Sequence, residues 1–149
     1  MKLSARNVLS GTVASVKKGA VNTEVILDLK GGASIVSVIT NTSAESLALK
    51  EGAAAFAIVK ASSIIVGTDM EKAKISARNI LSGKVVKVIE GPVSAEIDLD
   101  IGAGNSIVAV ITEESAKKLG LKAGSSAYAM IKASSVIVGV RIKNRDTSS

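Results

Sequence analysis

The chain has 149 residues, a formal net charge of +6, and neither cysteine nor histidine. That composition excludes disulfides, thiol nucleophiles, cysteine- or histidine-ligated zinc and histidine acid–base chemistry together. With 47% hydrophobic residues but one Phe, one Tyr and no Trp, a core must be assembled from Val, Ile, Leu and Ala, which suit strands and small barrels. A unit of about 65 residues built this way is marginal alone, so some apolar surface is expected to be spent between modules or subunits. No apolar run reaches the length of about 18 residues that a membrane helix needs. The opening MKLSARNVLSG lacks a sustained apolar segment ahead of a cleavage site, so no signal peptide is read and a cytoplasmic location is expected. The basic balance, with a pI near 9.7, favours an anionic partner, either nucleic acid or a small oxyanion.

The chain begins with a polar tetrapeptide, Ser4–Ala5–Arg6–Asn7, ahead of an apolar run. Val8–Val16 is predicted as a strand and Lys17–Ala20 as a turn. Glu24–Leu29 alternates, with Val25, Leu27 and Leu29 on one face, as a half-buried strand does. Gly31 and Gly32 make the next turn, and Ser34–Thr40 is a third strand. Thr42–Leu47 reads as a short helix in which Thr42 and Glu45 fit a capping box. Gly52 ends that connection. Ala55–Lys60 and Ser63–Gly67 are the last two strands, broken at Ala61–Ser62.

After a polar linker, TDMEKAK, the same text starts again. Shifting the sequence by 72 residues aligns Ser4–Gly67 with Ser76–Gly139 without a gap, at roughly 36 identities in 64 positions. The domain reading follows: a first module over 2–67, a linker over 68–74, a second module over 75–140, and a tail over 141–149 expected to be disordered. In the second copy Ile97, Leu99 and Ile101 alternate with Glu96, Asp98 and Asp100, and Glu113 and Glu114 favour the helix start electrostatically. Five short strands with one helix between the third and fourth imply an all-β chain with short helices: two tandem OB-like five-stranded β-barrel modules. A small β-sandwich is the alternative.

Catalysis has little to work with, and no turnover is expected. Glu24, Asp28, Glu96, Asp98 and Asp100 sit on alternating strand positions and read as a solvated face. Two tetrapeptides are more informative. KASS, at Lys60–Ser63 and Lys132–Ser135, and SARN, at Ser4–Asn7 and Ser76–Asn79, each combine a cation, a small residue and hydroxyl or amide donors, a set that suits oxyanion oxygens. Both recur intact, while neighbouring pairs such as Lys17/Ile89 and Ile26/Asp98 differ. A constraint shared by the two segments is implied. The turns GAVN and GPVS, at Gly19–Asn22 and Gly91–Ser94, could aim backbone N–H groups at an anion or could be ordinary turns.

With SARN and KASS each present twice and in order, the sequence resembles the Mop domain (the Mop/TOBE type) over roughly Lys2–Val140. The tandem pair resembles the di-Mop molbindins, the ModG type of molybdate-binding protein. The resemblance implies an OB-like barrel per module and a homotrimer, with molybdate or tungstate as ligand, no cofactor and no direct metal-cation ligands. It implies one class of site at Ser4, Ala5, Arg6 and Asn7 facing Lys60, Ala61 and Ser62 of a neighbouring module, and at Ser76, Ala77, Arg78 and Asn79 facing Lys132, Ala133 and Ser134. A second, axial class maps onto Gly19, Ala20, Val21 and Asn22, and onto Gly91, Val93 and Ser94. Where the first module has Ala20 and Asn22 the second has Pro92, which has no N–H to donate, and the shorter Ser94. The axial site of the second module is therefore expected to be absent or weaker.

Molybdenum storage, buffering or homeostasis is the role expected. One alternative is a nucleic-acid-binding OB protein, but such surfaces offer aromatic stacking platforms, and Phe56 and Tyr128 lie in otherwise apolar strands. Another is an accessory anion-sensing subunit of a transporter or regulator. The first module starts at residue 4 and no P-loop pattern is present, so that role is expected to require a separate partner.

Overall fold

The protein was analysed as a computed structural model that describes residues 1–142. The first repeat forms strands β1 (Asn7–Lys18), β2 (Asn22–Leu29), β3 (Ser34–Thr40), β4 (Ala54–Val59) and β5 (Ile65–Gly67), with helix α1 (Asn41–Ser46) between β3 and β4. The second forms β6 (Asn79–Glu90), β7 (Ser94–Gly102), β8 (Asn105–Thr112), β9 (Ser126–Ile131) and β10 (Ile137–Gly139), with α2 (Glu113–Lys118) in the equivalent place. A 3-10 turn, Ala61–Ser63 or Ala133–Ser135, precedes the last strand of each repeat. Strand count, order and helix position agree with the five-strand OB-like reading. The expected tail falls largely on residues 143–149, outside those described.

One expectation about the helices is corrected. The capping residue is Thr40, not Thr42: its Oγ1 accepts the Ser43 N–H at 3.1 Å, and Thr112 caps α2 through Ser115 in the same way. The hydroxyl must come from the residue still in extended geometry just before the first helical turn, and here that residue is the last of β3.

The repeats are contiguous in sequence, but the sheets are not. One five-stranded sheet has the order β10-β4-β1-β2-β3 and the other β5-β9-β6-β7-β8. Each sheet therefore takes its last strand from the other repeat. The turn at Ala61–Ser63 packs on β8, and the turn at Ala133–Ser135 packs on β3, which directs the chain across rather than back. Each sheet curls at a bulge in its long first strand, between Val13 and Ser15 or between Val85 and Lys87. Gly11 and Gly83 permit the close approach there, since a Cβ would lie 2.5 Å from the Asp28 carbonyl oxygen or 2.6 Å from that of Asp100.

The core is a single aliphatic cluster drawn from both repeats, with Val25, Leu27, Ile35, Ile97, Leu99 and Ile107 fully buried. Two polar side chains hold the seam. Asn7 donates from Nδ2 to the carbonyls of Val59 (3.2 Å) and Val108 (2.8 Å), and its Oδ1 accepts the Val108 N–H at 2.7 Å. Asn79 makes the matching pair with Val36, at 2.8 and 2.7 Å. Val36 and Val108 lie on β3 and β8, the edge strands of the two sheets. Each Asn amide thus mimics a strand partner for the edge of the opposite sheet. Ser37 adds a buried bond from Oγ to the Val136 carbonyl at 2.7 Å. Its counterpart, Ala109, cannot make one.

Removing one amide strands a backbone N–H and C=O on an edge that is partly buried. Asn7→Ala and Asn79→Ala are each expected to destabilise the chain by roughly 2–3 kcal/mol. Urea denaturation would show this as a lowered midpoint with unchanged slope.

Candidate functional site

The register sets Asn7 opposite Val59 and Asn79 opposite Ile131. Because these pairs are antiparallel, the chain entering β1 and the chain leaving β4 emerge side by side. Ser4–Arg6 therefore neighbours Lys60–Ser62 of the same repeat, and Ser76–Arg78 neighbours Lys132–Ser134. Within one chain SARN thus lies beside the KASS segment of its own repeat, and the facing of SARN and KASS between modules of different copies belongs to the assembly. What the other repeat contributes is the strand beneath, β8 under the first KASS turn and β3 under the second.

The side chains of SARN are already engaged. Arg6 Nη1 lies 2.8 Å from Glu96 Oε1, and Arg78 Nη1 lies 3.0 Å from Glu24 Oε2. Both pairs cross between repeats. Glu24 and Glu96, read from sequence as a solvated face, are instead partners of the two arginines. One signal was available: both Glu and both Arg recur at the 72-residue shift, although the adjacent pair Ile26/Asp98 does not. Asn7 and Asn79, both 2% exposed, are committed to the seam. Ser4 and Ser76 are exposed, and Ala5 and Ala77 are half-buried.

KASS is less committed. Lys60 and Lys132 are exposed, and among the described residues neither has an ion-pair partner. Within each turn the third N–H closes back, Ser63 to the Lys60 carbonyl and Ser135 to that of Lys132, both at 2.9 Å. The N–H groups of Ala61, Ser62, Ala133 and Ser134 have no backbone acceptor in these turns. Ala61 and Ala133 are buried, which brings the peptide down onto the neighbouring strand, while Ser62 and Ser134 face outward.

Two grooves run from these serines. One, of about 640 Å³, joins Ser62 and Ile65 to Val93, Ser94, Thr112 and Ser115; the other, of about 560 Å³, joins Ser134 and Ile137 to Asn22, Thr40 and Ser43. The structure thus connects the KASS segment of one repeat with the hairpin turn of the other, Gly91–Ser94 or Gly19–Asn22. Large apolar side chains stand bare nearby: Ile65 is 59% exposed, Ile137 57%, Val21 72% and Val93 77%. The aromatic residues offer no flat open platform. Phe56 is buried with the Arg141 guanidinium 5.6 Å from its ring centroid, and Tyr128 is half-buried. Among the described residues no cluster of carboxylates is placed to hold a metal ion, and no helix is long and apolar enough to cross a membrane.

The two Arg–Glu pairs differ in what surrounds them. Next to Glu96 on β7 lies Asp98, whose Oδ2 is 3.9 Å from Lys87 Nζ on β6 and whose Oδ1 is buried without a partner. The hydrogen bond from Arg6 holds the Glu96 carboxyl below its usual range, and Glu96 in turn raises Arg6. Burial, and then the neighbouring Glu96, push Asp98 up. In the first repeat the position of Asp98 is taken by Ile26, and no such pair of acids exists.

The sign of the pH effect follows from these directions. Glu96, depressed, adds stability that is present above the ordinary carboxylate pKa and fades as pH falls through its folded value. Asp98, raised, adds stability present below its ordinary pKa and lost as pH rises through its folded value. Asp98→Asn removes the second effect and leaves the leading cause of the first, the hydrogen bond from Arg6 to Glu96, in place. The stability of this variant relative to the parent should therefore improve as pH rises from the ordinary aspartate range through the raised folded value of Asp98, and urea midpoints measured across that rise would show it.

Two stretches, residues 3–66 and 75–138, match the model of the TOBE domain. The molybdenum transport protein ModE of Azotobacter vinelandii is 44% identical over 140 residues, covering 94% of this chain and 52% of that protein. The molybdenum-pterin-binding protein MopA of Rhodobacter capsulatus is 46% identical over 140 residues, covering 94% of this chain and 53% of its own length. The chain thus spans about half the length of the curated relatives it matches. Among solved structures, the cytoplasmic molybdate-binding protein ModG, crystallised with molybdate bound, superimposes with a TM-score of 0.92 at 48% identity, over 95% of this chain and 100% of that one.

Proposed function

Because the chain belongs to the TOBE-domain family, in its tandem form with two Mop-type modules, we propose that it binds molybdate or tungstate without turning it over, for molybdenum storage, buffering or homeostasis in the cytoplasm. The observation that carries this reading is the division of labour between the two tetrapeptides. Arg6 and Arg78 are neutralised by Glu96 and Glu24, while Lys60 and Lys132 keep uncompensated charge beside N–H groups and serine hydroxyls that point outward. A dianion needs many donors and few acceptors, and that set supplies them. The names of ModG, MopA and ModE support the choice of anion.

In this reading Ser4, Ala5, Lys60, Ala61 and Ser62, with Ser76, Ala77, Lys132, Ala133 and Ser134, receive the oxyanion. Asn7 and Asn79 position the segments, and the arginines set the seam. The exposed Val21, Val93, Ile65 and Ile137 are the surfaces through which three copies associate. An anion held between copies would stabilise the assembly by linkage.

Native mass spectrometry with and without molybdate tests both parts. The expected result is a trimer that gains several oxyanions, and a monomer with none overturns the reading. Lys60→Ala with Lys132→Ala should weaken binding roughly 10- to 100-fold, the loss of a charge-assisted bond worth about 1.5–3 kcal/mol. Equilibrium titration with sulfate as competitor measures it.

A further inference from the structure

The two SARN segments are identical in sequence, and so are the two KASS segments, but they rest on different hairpins. Arg6 bonds Glu96 on β7, Asn7 bonds Val108 on β8, and the Ala61–Ser63 turn packs on the same β8. The first pair of segments thus stands on the β7–β8 hairpin. By the matching contacts Arg78, Asn79 and the Ala133–Ser135 turn stand on β2 and β3.

The two hairpins differ between those supports. Asp98 follows Glu96 on the same face of β7 and lies opposite Val108. On β2 that place is taken by Ile26, opposite Val36. Asp98 Oδ1 is buried and has no hydrogen-bond partner. The charged groups that face Asp98 are Lys87 from β6, Arg6 from the segment ahead of β1 and Glu96 on its own strand, while β8 presents the uncharged Val108. Lys87 is 57% exposed and its Nζ is 3.9 Å from Oδ2, so water screens much of its charge. Asp100, next along that face, is exposed, as is its counterpart Asp28, so that acid is common to both hairpins.

An ionised Asp98 opposes an anion in two ways. It places weakly screened negative charge on the hairpin that carries the first pair of segments. It also competes for Arg6, which is raised by Glu96 and further by Asp98. Arg78 meets Glu24 with Ile26 beside it. Lys17 stands opposite Glu24, where Ile89 stands opposite Glu96, which tilts the balance the same way.

We infer that Asp98 makes the two oxyanion sites unequal, so that molybdate fills the one at Ser76–Arg78 before the one at Ser4–Arg6. The inference rests on the oxyanion-binding function proposed above. A neutral Asp98 neither repels the anion nor competes for Arg6. Burial, and then Glu96, push Asp98 up, so the inequality fades as pH falls through a value above the ordinary aspartate range. Binding at the weaker site favours the neutral carboxyl and takes up protons.

Titration calorimetry with molybdate at low ionic strength, repeated in buffers of different ionisation heat, tests this. The ions sensitive to Lys60 and Lys132 should divide into two affinity classes, the weaker by roughly three- to tenfold. Proton uptake should accompany the weaker class alone. Asp98→Asn should tighten that class by the same factor, abolish its proton uptake and leave the stronger class unmoved. Ile26→Asp should instead weaken the stronger class. Native mass spectrometry checks that each variant assembles, and where neither does, the classes and proton uptake of the parent decide. One class in the parent at a pH where Asp98 is ionised, a weaker class that takes up no protons, or two unmoved classes in Asp98→Asn overturns the inference while the parent still binds. A parent protein that binds no molybdate overturns the proposed function, and the inference with it.

Discussion

The arrangement depends on a side-chain amide standing in for a backbone. A sheet edge exposes N–H and C=O groups in a row, and such an edge must be paired, covered or blunted. Here Asn7 offers one donor and one acceptor to Val108 on β8, and Asn79 offers the same to Val36 on β3. An amide is the right group, because only Asn and Gln carry a donor and an acceptor with peptide geometry. An Asp carboxylate, which only accepts, would satisfy half of the edge. The two sheets are thereby locked in register as well as in contact.

That lock explains how so plain a core is enough. Each repeat contains mostly small and medium aliphatic residues and would bury too little by itself. Exchange of β5 and β10 lets each sheet finish on a strand from the other repeat, and the buried residues merge into one cluster. The hairpin tips meet too: Asn105 Nδ2 donates to the Lys30 carbonyl at 2.8 Å. Lys60–Ser62 and Lys132–Ser134 are the crossing points. Their backbone must turn sharply while lying on a foreign strand, which accounts for Ala61 and Ala133, whose small side chains are buried there.

The seam has approximate two-fold symmetry in its backbone and not in its chemistry. Asp98 beside Glu96 has no counterpart at Ile26, Ser37 bonds where Ala109 cannot, and Asn41 stands where the other repeat has Glu113. Duplication preserved the two seam amides, Asn7 and Asn79, and the two Arg–Glu pairs that join the repeats. The groups that tune charge and donors around each turn diverged, and those are the groups an anion would sense.

Much of this was written in the sequence. Local patterns are enough to place strands, because alternation and turn residues act over a few positions. Val25, Leu27 and Leu29 are buried as their alternation implied, and β3 has the bounds read from sequence. The recurrence of SARN and KASS also marked the segments that matter. The tertiary structure alone decided what each residue of those segments does. Arg6 and Asn7 share one tetrapeptide, but Arg6 meets Glu96 and Asn7 meets Val108, partners roughly 90 to 100 positions away in the chain. Strand exchange was equally hidden, since a strand such as Ile65–Gly67 reads the same whichever sheet accepts it: hydrogen bonding to a neighbour depends on where the chain is led, not on the residues it carries.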